Sequence, residues 1–237
     1  MSVAEIPEDA INGNLNFTKE ELPVPAEDDK WSWDTQTKTL VLKDGFSICY
    51  KGEDDTISLP NGSTIIIEGT AEIFNLNYYN YRAINCEGSL NIIGNGKDVS
   101  KLSAASYGCC IYSDYYYTED ESEAVPDTIN DAIEGCSIET VSIEYDGINW
   151  AYPLTIKDSS ISVFADDEGI DTDDSVNIVG SEVLLNMCGD DGIYSENEVS
   201  VTDSVLKIHS YNECIDADDD VTITDSDLNL HSESEEG

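Results

Sequence analysis

The feature that most constrains this chain is a repeat in its C-terminal third. Four segments align there, Leu154–Val163, Val176–Leu185, Val199–Ile208 and Val221–Leu230, and their starts are separated by 22, 23 and 22 residues. A sustained period of this length belongs to solenoids and repeat arrays. Each segment holds two short alternating runs around a turn residue, which is Asp158, Gly180, Asp203 or Asp225. The first run is apolar at its first and third residues, as in Val199 and Val201. The second is apolar further on, as in Ile161/Val163 and Leu228/Leu230. Such alternation turns one side of each strand inward and the other to water. A third short strand follows, centred on a small residue and then Ile: Gly169-Ile170, Gly192-Ile193, Cys214-Ile215. Three strands and three turns make one triangular coil. The predicted fold is all-β, a right-handed parallel β-helix with rungs of about 22 residues.

The same signature runs backwards through Gly147-Ile148, Cys110-Ile111 and Ala83-Ile84, with strands that include Leu90/Ile92 and Ile65/Ile67. The long interval between Ile111 and Ile148 holds a Tyr- and Glu-rich insert near 115–127, expected to bulge as a loop. The predicted organisation is an N-terminal arm and cap over 1–44 and the β-helix over 45–237. Residues 31–45 alternate strongly enough for a hairpin or first coil, whereas 1–30 contain Pro7, Pro23 and Pro25 and read as an arm. No comparable cap is visible at the C-terminal end. Ser232 to Gly237 read like the middle of a rung, so the expectation is a chain cut from something longer or one unit of an assembly.

Charge excludes several function classes. With 51 acidic residues against 10 basic ones the formal net charge is -41, which repels nucleic acid and anionic membranes and suits multivalent cations. No run of 18 apolar residues exists to span a membrane. The N-terminus carries no signal peptide, leaving an intracellular chain or one whose signal was removed. The cysteines number seven, with no CxxC, and do not form a usual disulfide framework; Cys110 and Cys214 take the small position of the rung. One disulfide, with unnamed partners, stays open.

Stacking converts sequence position into columns about 4.8 Å apart. Just before the small-Ile pair the column reads Asp146, Glu168, Asp191, Glu213. Just after the Ile it reads Asn149, Asp171, Tyr194, Asp216, and three positions after the Ile it reads Asp173, Glu196, Asp218. Two carboxylates at that spacing repel by about 1 kcal/mol in water and by more at lower dielectric. A calcium ion, with Ca–O distances of about 2.4 Å, relieves the repulsion. The acids of these columns, with Asp166, Asp167 and Asp190 beside them, are therefore the candidate Ca2+ ligands; a solvated acidic face is the alternative.

The repeated D/E-[GC]-I unit after the V-x-[IV]-x-[DG]-S strand, and Gly88-Ser-Leu-Asn-Ile-Ile-Gly-Asn-Gly96, resemble the clostridial-type β-helical carbohydrate-binding domain over roughly residues 60 to 237. The resemblance implies a secreted or cell-surface, right-handed β-helix that binds calcium and plant-wall polysaccharide, pectin-like or β-glucan. Such domains are similar to calcium-dependent pectate lyases but bind rather than cleave. One departure is that Ser159, Ser204 and Ser226 stand where the family pattern has Gly.

Flat aromatic faces are the usual platform for sugars. The candidates are Tyr112, Tyr115, Tyr116, Tyr117, Tyr194 and Trp150, with Tyr78, Tyr79 and Tyr81 as further aromatics; Tyr112 and Tyr194 share a rung position. No catalytic residue is assigned. A calcium-assisted lyase needs a basic proton acceptor, for which Lys157 and Lys207 are the alternatives to a surface role. His209 and His231 share a rung position and are the alternative site for a transition metal. The remaining competing reading is a structural protein whose β-helices stack end to end as a homo-oligomer or filament.

Overall fold

The computed structural model describes residues 6–7, 9–19, 27–115 and 131–234. In it the isoleucines of the repeat form one column. Ile57, Ile84, Ile111, Ile148, Ile170, Ile193 and Ile215 are successive partners in parallel strand pairs. β-branched side chains favour strands because they pack on a pleated, half-buried surface. Here they lie coil over coil, and Ile57 to Ile193 are wholly buried.

The coils build three sheets of nine, eight and ten strands, in about eight turns of about 23 residues. One coil shows the plan. Val176–Val179 lies in the first sheet, Glu182–Cys188 in the second and Ile193–Ser195 in the third, which we call the short sheet. The predicted registers hold: Leu154, Val176, Val199 and Val221 pair in sequence, as do Ile161, Val183, Leu206 and Leu228. The one coil of 23 residues in the repeat has a visible cause. Asn186 pairs with His209 and Cys188 with Ser210, so Met187 between them is left out of the ladder. Met187 has φ 55° and is 60% exposed. It is a β-bulge, which absorbs the extra residue without disturbing the columns on either side.

The corner between the first and second sheets explains the recurring Asp/Gly-Ser. Asp158, Gly180, Asp203 and Asp225 all have φ between 49° and 59°. This left-handed region admits Gly freely and Asp better than most residues. The following serines form a ladder: the backbone N–H of Ser159 donates to Ser181 Oγ, Ser181 to Ser204 Oγ and Ser204 to Ser226 Oγ, each at 3.1 Å. Each hydroxyl in turn donates to the carbonyl two residues back, as Ser181 does to Val179 at 2.9 Å. Serine replaces the Gly of the family pattern because it satisfies buried backbone. Ser181→Ala removes an acceptor from a buried N–H, and is expected to lower unfolding free energy by about 1–3 kcal/mol in urea denaturation.

Trp150, expected as a surface platform, requires correction. It is fully buried, and its Nε1–H donates to Asp131 Oδ2 at 2.9 Å. Asp131 is itself buried and also accepts from the Ser89 hydroxyl and from the Leu90 N–H at 3.0 Å. Burial raises the Asp131 pKa, and the three donors oppose that rise.

At the N-terminal end Trp31–Asp34 pairs antiparallel with Thr39–Lys43, which joins the first sheet parallel to Ser63–Glu68. Phe17 stacks on Trp33 at 4.5 Å and meets Trp31 edge-on at 5.8 Å. Ile11–Asn12 and Leu15–Asn16 add short parallel strands to the second and short sheets. On the last described coil Val221, Ile223, Leu228 and Leu230 are 45%, 39%, 39% and 42% exposed. All seven cysteines are free thiols, six of them buried.

Candidate functional site

The short sheet and the corner that precedes it form one face. The outward column of the sheet runs Asn85, Tyr112, Asn149, Asp171, Tyr194, Asp216. The corner column, two residues before each Ile, runs Asp55, Arg82, Cys109, Asp146, Glu168, Asp191, Glu213. Backbone bonds lock that corner from coil to coil: Gly147 N–H donates to Glu168 O, Gly169 to Asp191 O and Gly192 to Glu213 O, at 2.9–3.0 Å. Glycine is required where the coils approach. A Cβ at Gly169 meets the Gly192 carbonyl oxygen at 2.6 Å, and one at Gly192 meets Ile208 at 2.3 Å. This close stacking brings the acids of adjacent coils together.

Asp146, Asp167 and Glu168 converge so that one carboxylate oxygen from each lies within 4.8 Å of the others. Asn149 Nδ2 donates to Asp146 Oδ2 at 3.0 Å and to Asp171 Oδ2 at 2.6 Å, tying the next column in. Crowding and burial raise proton affinity across the group. Burial first, and then the shared proton and charge of Asp146, push Glu168 to about 9. Burial followed by Asp146 and Asp173 takes Asp171 to about 7. Burial takes Asp191 to about 6 even though it accepts the Glu213 N–H at 2.8 Å. Asp167 and Asp173 are also raised, mainly by burial. The donor set is all oxygen, which suits a hard cation such as Ca2+ and not the nitrogen- or sulfur-seeking metals.

A family described as carbohydrate-binding domain-containing proteins matches residues 115–237, more than half of the chain. The chain belongs to this family. No curated protein and no solved structure matches it.

The carbohydrate-binding domain thus places its acid cluster and two of its tyrosines on one face. Asp171 and Asp191 flank the triad of Asp146, Asp167 and Glu168. Asp166 is exposed beside it, and Asp190 accepts a bond from Asn212 Nδ2. Asp173 and Glu196 lie near each other at the far edge of the short sheet, where each backbone N–H bonds the preceding coil. Glu213, Asp216 and Asp218 lie in or beside the last strand of the short sheet, two coils on from Glu168. Tyr112 and Tyr194 share the outward column three coils apart, with Asn149 and Asp171 between them. Tyr115 meets Tyr152 edge-on at 5.7 Å. Tyr116, Tyr117 and most of the insert lie outside the described residues. Tyr78 and Tyr79 are 75% and 69% exposed, and Tyr78 leans on Tyr107 at 4.5 Å.

The lysines are on other faces. Lys157, in the first sheet, pairs with Glu134 at 2.8 Å, and Lys207, in the second, pairs with Glu182 at 3.1 Å. His209 and His231 lie 4.9 Å apart, and His209 Nε2 is 2.9 Å from Glu233. Sequence reasoning passed over Asn149, which bridges two acids, and Arg82, whose guanidinium carbon lies 3.9 Å from the centroid of the Tyr112 ring. Arg82 was detectable as the only arginine in the chain, standing in a mostly acidic column.

Proposed function

We propose that this domain is a non-catalytic, secreted or cell-surface module that binds polysaccharide in a calcium-dependent manner, along the face of the short sheet and its preceding corner. The observation that carries the reading is the convergence of Asp146, Asp167 and Glu168. Those three would hold the ion, with Asp171 and Asp191 close by. The ion would cancel repulsion between coils and present a positive centre to oxygen atoms of a sugar. A pectin-like ligand would add its own carboxylates, and a β-glucan its hydroxyls against Tyr112 and Tyr194. A non-catalytic role is supported by the pairing of Lys157 and Lys207 with glutamates of neighbouring coils, away from the acid triad.

Affinity electrophoresis tests this directly. Migration should be retarded by embedded polygalacturonate or β-glucan in millimolar calcium and restored by EDTA. Equal retardation with and without EDTA contradicts calcium dependence, and an unsaturated product absorbing in the near ultraviolet contradicts the non-catalytic role.

A second reading, stacking of coils end to end, is favoured by the exposed Val221, Ile223, Leu228 and Leu230. It predicts filaments of the pure protein by electron microscopy, lost on Leu228→Glu. Monodisperse particles at all concentrations contradict it.

A further inference from the structure

The geometry points to an anion-binding subsite at Arg82, on the same face as the acid triad, that takes an oxyanion carried by the saccharide, such as a uronate carboxylate. The inference rests on the carbohydrate-binding reading and narrows the ligand class. Arg82 is the only arginine among 237 residues, in a chain with 51 acids. In such surroundings a guanidinium ordinarily finds a carboxylate. Yet the ion pairs among the described residues involve Lys19, Lys157, Lys207 and His209, and none involves Arg82. Its Nε is buried with no hydrogen-bond partner among the described residues. A buried donor left unpaired is costly; the Nε itself is closed to a ligand, so an oxyanion would meet the terminal nitrogens of the guanidinium.

The backbone that carries the side chain is held in place. The Arg82 N–H donates to Asp55 Oδ1 at 2.7 Å, and its carbonyl accepts from Thr56 N–H at 3.0 Å and Asn75 Nδ2 at 3.1 Å. Asp55, one coil before it, spends an oxygen on this backbone and forms no ion pair with the guanidinium, although its carboxyl feels the Arg82 charge. Tyr112 supports the cation from below at 3.9 Å, a cation–π contact that leaves the N–H edge free to bind. Asn85, on the outward column beside Tyr112, adds an amide at the same level. The planar fork of arginine matches a carboxylate or sulfate bidentately, which a lysine does not.

Position gives the subsite its meaning. Arg82 stands between Asp55 and Cys109 in a column that continues to Asp146, two coils or about 10 Å away. The triad is thus beyond the screening length of about 8 Å at physiological ionic strength, and Asp55, one coil away on the other side, is the acid that shares the field of Arg82. Cys109, between Arg82 and Asp146, is buried and offers no charge to the surface. One face thus carries two separate points for ligand anions: Arg82 outright, and the triad once a cation is bound. A polymer bearing repeated acidic groups can reach both.

The test uses the whole chain in millimolar calcium, with polygalacturonate, its fully methyl-esterified form and dextran sulfate as probes. Arg82→Gln should bind polygalacturonate about ten- to hundredfold more weakly than the parent, the range expected for loss of a charged hydrogen-bonded pair. Arg82→Lys should fall between the two. Binding of the methyl ester, which has no carboxylate, should be unchanged by either substitution. If dextran sulfate alone shows the Arg82 dependence, the oxyanion is a sulfate ester and the subsite stands. Polygalacturonate and dextran sulfate binding within twofold of the parent for Arg82→Gln overturns the subsite. So does an equal loss for the methyl ester, which would make Arg82 a structural residue. Calcium-dependent binding of a neutral glucan by the parent, with no retention of either acidic polymer, would sink this inference and leave the broader function intact.

Discussion

Replacing Trp150 with alanine is expected to lower the unfolding free energy by about 3–5 kcal/mol. The residue is fully buried, and it is flanked in its column by Ser113 and Thr172. Neighbours that small cannot refill the volume, so the loss should lie near the upper end. The indole N–H is also one of three donors to the buried Asp131 carboxylate, and its removal leaves a buried charge under-satisfied. At roughly 2–4 °C per kcal/mol for a chain of this size, the melting midpoint should fall by about 6–20 °C. Folded Trp150→Ala should still bind polysaccharide as the parent does, because the indole reaches no surface. Retained stability with lost binding would restore Trp150 to the platform.

Trp150 also shows where the sequence is legible and where it is not. The period sets register, so the columns of Ile and Val, and the one that runs from Asn149 to Asp216, could be drawn before any coordinates, and these pair as drawn. The third residue of the short strand faces inward in all coils, as Cys86, Ser113, Thr172 and Ser195 show by their burial. Trp150 occupies that position, so the alternation already placed it inside; its size and its partner Asp131 did not announce themselves. The 23-residue spacing was visible, but the bulge at Met187 was not, because a period counts residues and not which one leaves the ladder. Carboxylate convergence was only half legible. Columns gave Asp146 above Glu168, but the contribution of Asp167 depends on how the corner turns, which no repeat encodes. Arg82 lay outside the acid pattern and so escaped notice.

The second large effect is a dependence of stability on pH that reverses sign with the metal. In the unfolded chain Glu168 titrates near the ordinary 4.5, whereas in the folded protein it is pushed to about 9. Asp171 moves from 3.8 to about 7 and Asp191 from 3.8 to about 6. Between those limits the folded state holds protons that the unfolded state does not, so raising the pH strips them at the expense of the fold. The stability these groups contribute is fully present below about pH 4 and is lost progressively as pH rises to about 9. The metal-free protein should therefore melt at lower temperature at pH 9 than at pH 6. Each tenfold of proton affinity gained on folding corresponds to about 1.4 kcal/mol before solvent screening reduces it. Glu168→Gln removes the largest of these groups. In EDTA it should raise the melting point at pH 8 and flatten the pH profile. In calcium it should do the opposite and lower the melting point below that of the parent, because a ligand has gone. Scanning calorimetry across pH 5–9 reads both arms, and a substitution acting in the same direction with and without calcium contradicts the assignment.

A calcium titration followed by thermal melting at pH 8 tests the central claim most directly. An ion bound only by the folded state stabilises it by about 2.7 kcal/mol at a hundredfold excess over the dissociation constant. For a chain of this size that is a rise of roughly 5–10 °C. The account predicts that rise for the parent, its abolition by Asp167→Asn combined with Glu168→Gln, and its reversal by EDTA. A melting point that does not move at millimolar calcium, or that moves equally in the double variant, would contradict it.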